Sequence, residues 1–318
     1  MRIGQNPAKF VKEVTRPERI TVAVLNYVPF LSGFYSQGLD VLKMSLESLW
    51  KSADLPYDLM VFDNGSCPEV REFLLDAQRE GQIQYLVLSE KNVGKGGAWN
   101  TILAGAPGEI IAYGDGDVFY YPGWLSRSVE ILETFPNVGM VTSRPFRTPE
   151  KFSDRTIAWA ESTPEVRYEV GQFLAWEVFR DFVMSLGTPE DQAREWYAGA
   201  GDMRVTYRGV TAHIGASHWQ FVTYKSRIQQ FLPFDMDRPM GQVRMLDQRM
   251  NEAGLLRLMV SDPLVQNLSN QTALAHATVD GKGGSRKKST LKDRLFNIAP
   301  VKNGLLSMYD AIFRLYYR

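Results

Sequence analysis

The first half of the chain alternates between short apolar runs and longer segments whose apolar residues recur at helical spacing. RITVAVLNYV (19–28) is β-branched and almost continuously apolar, which is typical of a strand buried on both faces of a sheet. SQGLDVLKMSLESLWKSA (36–53) spaces its leucines three or four positions apart and predicts a helix. The same patterns predict strands within 58–66, 83–92, 109–117 and 138–146, and helices within 68–81, 94–106 and 122–135, with Pro122 in the first turn of the last helix. This alternation indicates an α/β fold with a mostly parallel sheet flanked by helices.

The first four predicted strands all end in polar residues. The ends are Asn26-Tyr27, Asp63-Asn64-Gly65-Ser66, Lys91-Asn92 and Asp115-Gly116-Asp117. Right-handed crossovers place the carboxyl ends of parallel strands along one sheet edge, where open α/β sheets bind ligands. Asp and Gly are also ordinary turn residues, so the DGD pair taken alone is better explained as a turn than as a metal site. Four polar ends on one edge favour a ligand site.

The pattern changes after about residue 147. Residues 151–205 are rich in aromatic side chains and predict mainly helix without clear strands. A strand, a turn and a second strand or helix follow in 210–231, then a helix in 241–254 closed by Gly254 and one late strand in 255–268 that returns to the sheet. We therefore divide the chain into an N-terminal extension (1–18), a first half (19–146), a second half (147–279) and a basic linker with an amphipathic tail (280–318).

Composition excludes several classes of protein. The 318 residues carry 36 basic and 36 acidic side chains, so a nucleic-acid-binding role is not expected. Residues 281–318 hold nine of the basic residues and two acids, and they mix them with apolar residues. That tail fits either peripheral contact with an anionic membrane or docking on protein. A single cysteine, Cys67, and no secretory leader predict a cytoplasmic protein, which the tail would allow to rest on the inner membrane face.

Read together, the strand ends resemble the motifs of a GT-A glycosyltransferase of family 2, which is inverting and uses a nucleotide-diphosphate sugar. VAVLNY resembles the family's first strand, VFDNGS its DDGS turn, KNVGKGGAWN its N-x-G-x-x-x-A-x-N segment and YGDGDV its DxD metal motif. RMLDQRMNEAG is similar, more weakly, to the helix that carries the catalytic base. The resemblance covers about 20–143 and, less securely, 242–268.

The resemblance implies a donor site that holds a UDP- or GDP-sugar. The implied donor contacts are Asn26, Tyr27, Asp63, Asn92, Gly94, Lys95, Gly96, Asn100, Asp115 and Gly116. A leaving nucleoside diphosphate gains negative charge, which a hard divalent cation stabilises, so Mn²⁺ or Mg²⁺ on Asp115 and Asp117 is expected. For the glycines and Lys95, a plain loop before a helix and a solvated lysine are the alternatives.

The second half is expected to supply the base and the acceptor contacts. By resemblance, Asp247 deprotonates the acceptor hydroxyl, although the family often has a Glu before this Asp and here Leu246 stands there. The family also often places a metal-ligating histidine where this chain has Asn267, and His276 is the nearest histidine. Three alternatives are open: His276 ligates the metal, Asn267 substitutes weakly, or the aspartates and phosphates suffice; we slightly favour His276. His218 and Trp219 are candidate acceptor contacts, of a sugar, lipid-linked or other hydroxyl compound, and structural roles for both remain open.

Two other functions stay open from the residues alone. A sugar nucleotidyltransferase shares the α/β scaffold and metal aspartates, but it usually has a basic glycine-rich loop after the first strand, where this chain has NYVPFLSGFYSQG. A catalytically inactive nucleotide-sugar-binding scaffold protein is the alternative from a different class. A dinucleotide-binding protein is disfavoured because no G-x-G-x-x-G follows the first strand.

Overall fold

The computed structural model describes residues 3–238 and 243–272. Their strands are β1 (Ile20–Asn26), β2 (Asp58–Asp63), β3 (Tyr85–Leu88), β4 (Ile110–Asp115), β5 (Val118–Tyr120), β6 (Val138–Thr142), β7 (Arg167–Gly171), β8 (Asp202–Tyr207), β9 (Val210–Ile214), β10 (Gln220–Tyr224), β11 (Leu256–Met259) and β12 (Val265–Asn267). Their α-helices are α1 (Gly38–Ser52), α2 (Pro68–Arg79), α3 (Gly94–Gly105), α4 (Trp124–Thr134), α5 (Asp154–Ser162), α6 (Trp176–Ser185), α7 (Glu190–Gly199), α8 (Lys225–Ile228) and α9 (Val243–Glu252).

Ten of these strands form one sheet in the order β3-β2-β1-β4-β10-β6-β11-β9-β8-β7. Strands β1 to β4 are mutually parallel, whereas β10 inserts antiparallel between β4 and β6. Further along the sheet β6, β11 and β8 run in the same direction as β1 to β4, whereas β10, β9 and β7 run in the opposite direction. Seven of the ten strands therefore share one direction. The predicted α/β fold with a mostly parallel sheet is confirmed. The antiparallel insertion has one consequence for the site: the start of β10, not its end, lies beside the end of β4.

Alternation along β1 shows how the sheet is covered on both faces. Val22 and Val24 pack in one core with leucines of α1 and α2, while Ala23 and Leu25 pack in a second core with α3. All four side chains are buried. Before Asn26, the one polar side chain of β1 is Thr21, which is buried and accepts a hydrogen bond from Gly108 N (2.8 Å), so candidate polar chemistry lies at the carboxyl end of the strand.

Three sequence predictions need correction. Residues 151–205 are not strand-free, because β7 pairs antiparallel with β8. The late segment 255–268 forms two strands, of which β11 joins the main sheet and β12 pairs with β5. Helix α4 begins at Trp124, after Gly123 in a left-handed conformation (φ 88°), so Pro122 precedes the helix. The β7–β8 pair escaped prediction because its two strands are short, lie among helices and are separated by two of them.

None of the helices in the described ranges is long and apolar enough to cross a membrane. His276, the basic linker and the amphipathic tail lie outside the described residues. The predictions made for them, including membrane contact, therefore stay predictions.

Candidate active site at the carboxyl edge of the sheet

A buried polar network joins the ends of β1 and β2. The side-chain amide of Asn26 donates to Asp63 Oδ1 (3.0 Å) and to Ser66 Oγ (3.1 Å), and the backbone N–H of Ser66 donates to Asp63 Oδ2 (3.0 Å). Asp63 is fully buried and Asn26 nearly so. Both carboxylate oxygens of Asp63 are therefore engaged inside the protein. Its position differs from the expected one, because it shapes the turn from within instead of presenting oxygens to a ligand.

Asn64 links this turn to the loop before α3. Its side chain accepts from the backbone N–H of Val93 (2.9 Å) and donates to Asn92 Oδ1 (3.0 Å). Asn92 Oδ1 also accepts from the N–H of Gly94 (2.8 Å), and so satisfies one of the orphan donors at the start of α3. The predicted donor residues Asn92 and Gly94 thus lie at the sheet edge, in a loop fixed by hydrogen bonds.

Gly96 and Asn100 contact the protein's own chain. A Cβ on Gly96 would collide with the carbonyl oxygen of Asp235. The amide of Asn100 donates to Phe234 O (2.9 Å) and accepts from Phe234 N (2.7 Å). Both residues thus hold the 234–235 loop against α3, and the donor contacts predicted for them stay predictions. The absence of a Cβ matters at Gly96 because a backbone, not a phosphate, approaches it.

Lys95 lies over the first acid of the DGD turn. Its Nζ donates to Asp115 Oδ2 (2.7 Å), and its side chain is only 13% exposed. Tyr113 OH donates to the other oxygen, Asp115 Oδ1 (2.5 Å). Burial and the neighbouring Asp115 carboxylate raise the pKa of Tyr113, so it remains a protonated donor. Lys95 is therefore not a solvated loop lysine; it supplies positive charge at the candidate donor site.

Asp117, the second acid of the turn, has no such partner. Among the described residues no side chain donates a hydrogen bond to its carboxylate, which its own backbone N–H and the nearby charge of Lys95 stabilise in part. Its backbone carbonyl accepts from Leu268 N (2.8 Å). Burial, followed by repulsion from Asp115, raises the pKa of Asp117 to about 7. An acid held in this state gains a counter-charge if a cation binds.

Gly116 lets this turn pack against β1. Its N–H donates to Leu25 O (2.8 Å), and a Cβ would stand 3.1 Å from Asn26 Oδ1 and 3.2 Å from Leu25 O. The glycine therefore brings the DGD turn against the Asn26 network. Tyr27, the next residue along β1, makes an edge contact with Tyr35 (ring centroids 6.2 Å apart) and lies at the same edge.

A second polar cluster lies beside the turn, because β10 is antiparallel to β4. The N–H of Asp115 donates to Trp219 O (3.0 Å), which puts His218 at the same edge. His218 Nδ1 is 2.8 Å from Asp247 Oδ2, and Asp247 Oδ1 accepts from Arg257 Nη2 (2.6 Å).

Arg257 anchors that cluster from within the protein. It is 1% exposed and also donates to the carbonyls of Phe152 and Ala216. Burial lowers the pKa of the Arg257 guanidinium, and the adjacent Asp247 carboxylate acts in the opposite direction. Asp247 is thus paired directly with a buried cation, whereas Asp117 is not.

Trp219 packs mainly into the protein. Its ring stacks on Phe182 at 6.1 Å, and its indole Nε1 is buried without a hydrogen-bond acceptor in the described part of the chain. His218 and Trp219 are adjacent to the candidate metal turn, as an acceptor site would require, but neither position identifies an acceptor.

Sequence reasoning missed Tyr113 and Arg257 as parts of this site, and it named Asn64 and Ser66 only as members of the polar end of the second strand. Arg257 did leave a signal: it is a lone charge in the apolar run LLRLMV, and charged residues are rarely buried without a partner. Asn64 and Ser66 lie inside the quoted VFDNGS motif, but their partners are set by the three-dimensional arrangement.

The described residues do not contain a cluster of three or more His, Cys, Asp or Glu side chains that could hold a metal ion. Asp115 and Asp117 are the pair that could hold a cation, because both lie in one tight turn and carboxylate oxygens are the ligands that hard divalent cations prefer. Further ligands would have to come from the donor phosphates, water, or residues outside the described ranges, which include His276.

Comparison with known proteins relates part of this chain to a family. Residues 34–183, which is 150 of the 318 residues, match the profile of glycosyl transferase family 2. This segment is similar to that family, and we refer to it as the family 2 region. The match confirms the family resemblance drawn from the motifs. The family 2 region contains the DNGS turn, the start of α3 and the DGD turn, whereas the His218–Asp247 pair lies beyond it.

Individual proteins are similar to this chain over part of their length. An uncharacterized glycosyltransferase of Nostoc sp. is 28% identical over 100 residues, which is 31% of this chain and 31% of the relative; the chain thus aligns with about a third of that protein. The solved structure of GalNAc-T7 with UDP, GalNAc and Mn²⁺ superposes with a TM-score of 0.50 at 11% identity, over 80% of this chain and 45% of that one. A mannosyltransferase of Pyrobaculum calidifontis, solved with GDP-Man and Mn²⁺, gives a TM-score of 0.45 at 18% identity over 79% and 56%.

Proposed function

We propose that this protein transfers a sugar from a nucleotide-diphosphate donor to an acceptor hydroxyl, with inversion at the anomeric carbon. One observation carries the proposal: two neighbouring carboxylates, Asp115 and Asp117, lie in one turn of the segment that matches family 2, beside a carboxylate–imidazole pair that belongs to a different part of the fold. A metal-stabilised leaving group and a group that accepts a proton are the two requirements of a direct displacement.

The donor side is assigned to the edge formed by β1, β2 and β4. Asp115 and Asp117 would hold Mn²⁺ or Mg²⁺, which supplies counter-charge for the diphosphate when bound. Lys95, already beside Asp115, is positioned to take part of the phosphate charge once a cation competes for that carboxylate. Gly94 begins α3 with a positive φ of 71°, and a helix start favours an anion nearby.

The acceptor side is assigned to the start of β10 and to α9. Asp247, the residue expected to act as base, is held by His218 and Arg257. In a direct displacement the acceptor oxygen attacks the anomeric carbon from the face opposite the diphosphate. The group that accepts its proton must therefore stand across the donor from the metal turn, and the His218–Asp247 pair is the candidate for that place.

Donor binding tests this proposal without knowledge of the acceptor. Wild type, Asp117→Ala and the control Asp76→Ala, which removes an exposed acid of α2, are heated with UDP, GDP, CDP or TDP, with and without Mn²⁺. A ligand at a hundredfold over its Kd adds about 2.7 kcal/mol, enough to move the unfolding midpoint by several degrees. We expect one diphosphate to stabilise wild type and Asp76→Ala in a Mn²⁺-dependent way, and Asp117→Ala to lose the shift.

Two other outcomes would contradict the proposal. If no nucleotide shifts the wild-type midpoint with or without metal, transfer from a nucleotide sugar is refuted. If a nucleotide binds but no sugar is released or transferred from any donor, the protein is a nucleotide-sugar-binding scaffold.

A further inference from the structure

We propose that His218 is the residue that takes the proton from the acceptor hydroxyl, through Nε2, and that Asp247 is a positioning residue. This inference rests on the proposed function and changes the role expected for Asp247. It starts from three contacts that join β10, α9 and β11.

Asp247 is poorly placed to accept a further proton. One of its oxygens faces His218 Nδ1 at 2.8 Å and the other accepts from Arg257 Nη2 at 2.6 Å. Its side chain is 11% exposed, against 24% for His218. Both oxygens of this carboxylate therefore already face a partner inside the protein, whereas the imidazole is the more exposed member of the pair.

The same contacts fix the tautomer of His218. An ionised carboxylate can only accept hydrogen bonds, so Nδ1 must carry the hydrogen that points at Asp247 Oδ2. In the neutral imidazole Nε2 then holds a lone pair. No group in the described ranges contacts Nε2 by a hydrogen bond, which leaves it available to a substrate.

The position of His218 fits the reaction. It lies two residues before Gln220, where β10 begins, and the N–H of Asp115 donates to the carbonyl of the intervening Trp219. The imidazole therefore belongs to the sheet edge that carries the DGD turn. Asp247 of α9 and, behind it, Arg257 of β11 are the charged side chains that the structure places against it.

The step balances as a single displacement. The acceptor oxygen forms a bond to the anomeric carbon while the bond from that carbon to the diphosphate oxygen breaks, and its electron pair leaves with the diphosphate. The hydroxyl proton goes to His218 Nε2. The resulting imidazolium is stabilised by Asp247, the arrangement in which a carboxylate orients an imidazole base without itself taking the proton.

The first experiment uses water as the acceptor. Purified full-length protein is incubated with Mn²⁺ and UDP-GlcNAc or GDP-mannose, and release of the nucleoside diphosphate is measured, with donor binding followed separately by thermal shift. We expect His218→Ala and the similarly sized His218→Gln to bind donor as wild type does and to lose 10²- to 10⁴-fold in rate. Added imidazole is expected to restore at least tenfold to His218→Ala and nothing to Asp247→Asn.

Full activity in either His218 variant, with a large loss in Asp247→Asn, would make Asp247 the base and overturn the inference while the transferase proposal stands. Absence of any donor binding in wild type would refute both together. These outcomes separate the failure of the inference from the failure of the proposed function.

A second measurement needs no turnover. The chain has three histidines, so ¹⁵N NMR of the imidazole nitrogens can assign His218 by its loss in His218→Gln. We expect a protonated Nδ1 and an unprotonated Nε2 at pH 8 in wild type, and a mixture of tautomers in Asp247→Asn. A hydrogen on Nε2 in wild type would refute the proposed role directly.

Discussion

Arg257 is the residue whose removal should cost the fold most among the polar groups of the site. Its guanidinium is 1% exposed and donates to Asp247 Oδ1 and to the carbonyls of Phe152 and Ala216. Arg257→Met fills similar volume but leaves a buried carboxylate with only its histidine partner, and two carbonyls without their donor. Breaking a buried ion pair from one side typically costs about 3–5 kcal/mol.

The measurement is urea unfolding of wild type, Arg257→Met, Asp247→Asn and the double variant. A loss of about 3–5 kcal/mol is a large part of the roughly 5–15 kcal/mol that a domain has, so Arg257→Met should have a much lower midpoint or fail to fold. The double variant should be more stable than the sum of the single losses implies, because it removes both charges. The expected coupling is about 1–3 kcal/mol.

Lys51→Met is the matched control, since its pair with Glu47 is exposed (side chains 75% and 56% exposed). Such a pair contributes about 0.5 kcal/mol or less. If Arg257→Met loses no more stability than Lys51→Met, the view that Arg257 neutralises Asp247 inside the protein is wrong.

Three shorter predictions concern the donor edge. In EDTA, the raised pKa of Asp117 makes its stabilising contribution present below pH 3.8 and lost as pH rises through about 7, so Asp117→Asn should gain stability relative to wild type between pH 4.5 and pH 8. A pKa of about 7 instead of 3.8 corresponds to about 4 kcal/mol, of which we expect about half because the side chain is partly exposed. Urea unfolding at both pH values measures the gain, and a pH-independent difference between the two proteins would count against it. Gly96→Ala should lose about 1–3 kcal/mol because a loop carbonyl occupies the Cβ position, whereas Gly199→Ala, with open space, should be neutral or slightly stabilising in thermal unfolding; equal effects would contradict this. Without nucleotide, Lys95→Met should bind Mn²⁺ several-fold more tightly, since the change frees a carboxylate of Asp115. The same variant should bind nucleoside diphosphate more weakly, since it lacks a cation. EPR titration decides this, with Lys91→Met, which changes an exposed lysine, as the control.

The donor edge was predictable from sequence to a useful degree because its parts are local. Each strand of the first half ends in its own polar residues, and parallel strands bring those ends together whatever the fine geometry. What the sequence did not reveal is which of those residues contact solvent. Asp63 is turned inward by Asn26 and Ser66, and Gly96 is covered by the 234–235 loop, because both depend on segments far apart in the chain.

The acceptor edge was less predictable for a topological reason. His218 and Asp247 are 29 residues apart, and they meet because β10 inserts antiparallel next to β4 while α9 packs on the adjoining face. Neither the insertion nor the pairing with Arg257 follows from periodicity. A histidine before a strand and an aspartate on a helix therefore read as separate candidates in the sequence, although in the fold they form one unit.

The acids at this edge differ in how far neighbouring side chains balance their charge. Asp247 is already balanced by a buried arginine, so an added cation would gain little there, and the carboxylate is suited to holding an imidazole in one orientation. Asp115 and Asp117 share the charge of one lysine, Lys95, which pairs directly with Asp115, so a divalent cation gains most at the DGD turn. We infer that this division separates the two halves of the reaction: charge that develops on the leaving diphosphate is met on the β4 side, and the proton of the acceptor is met on the β10 side.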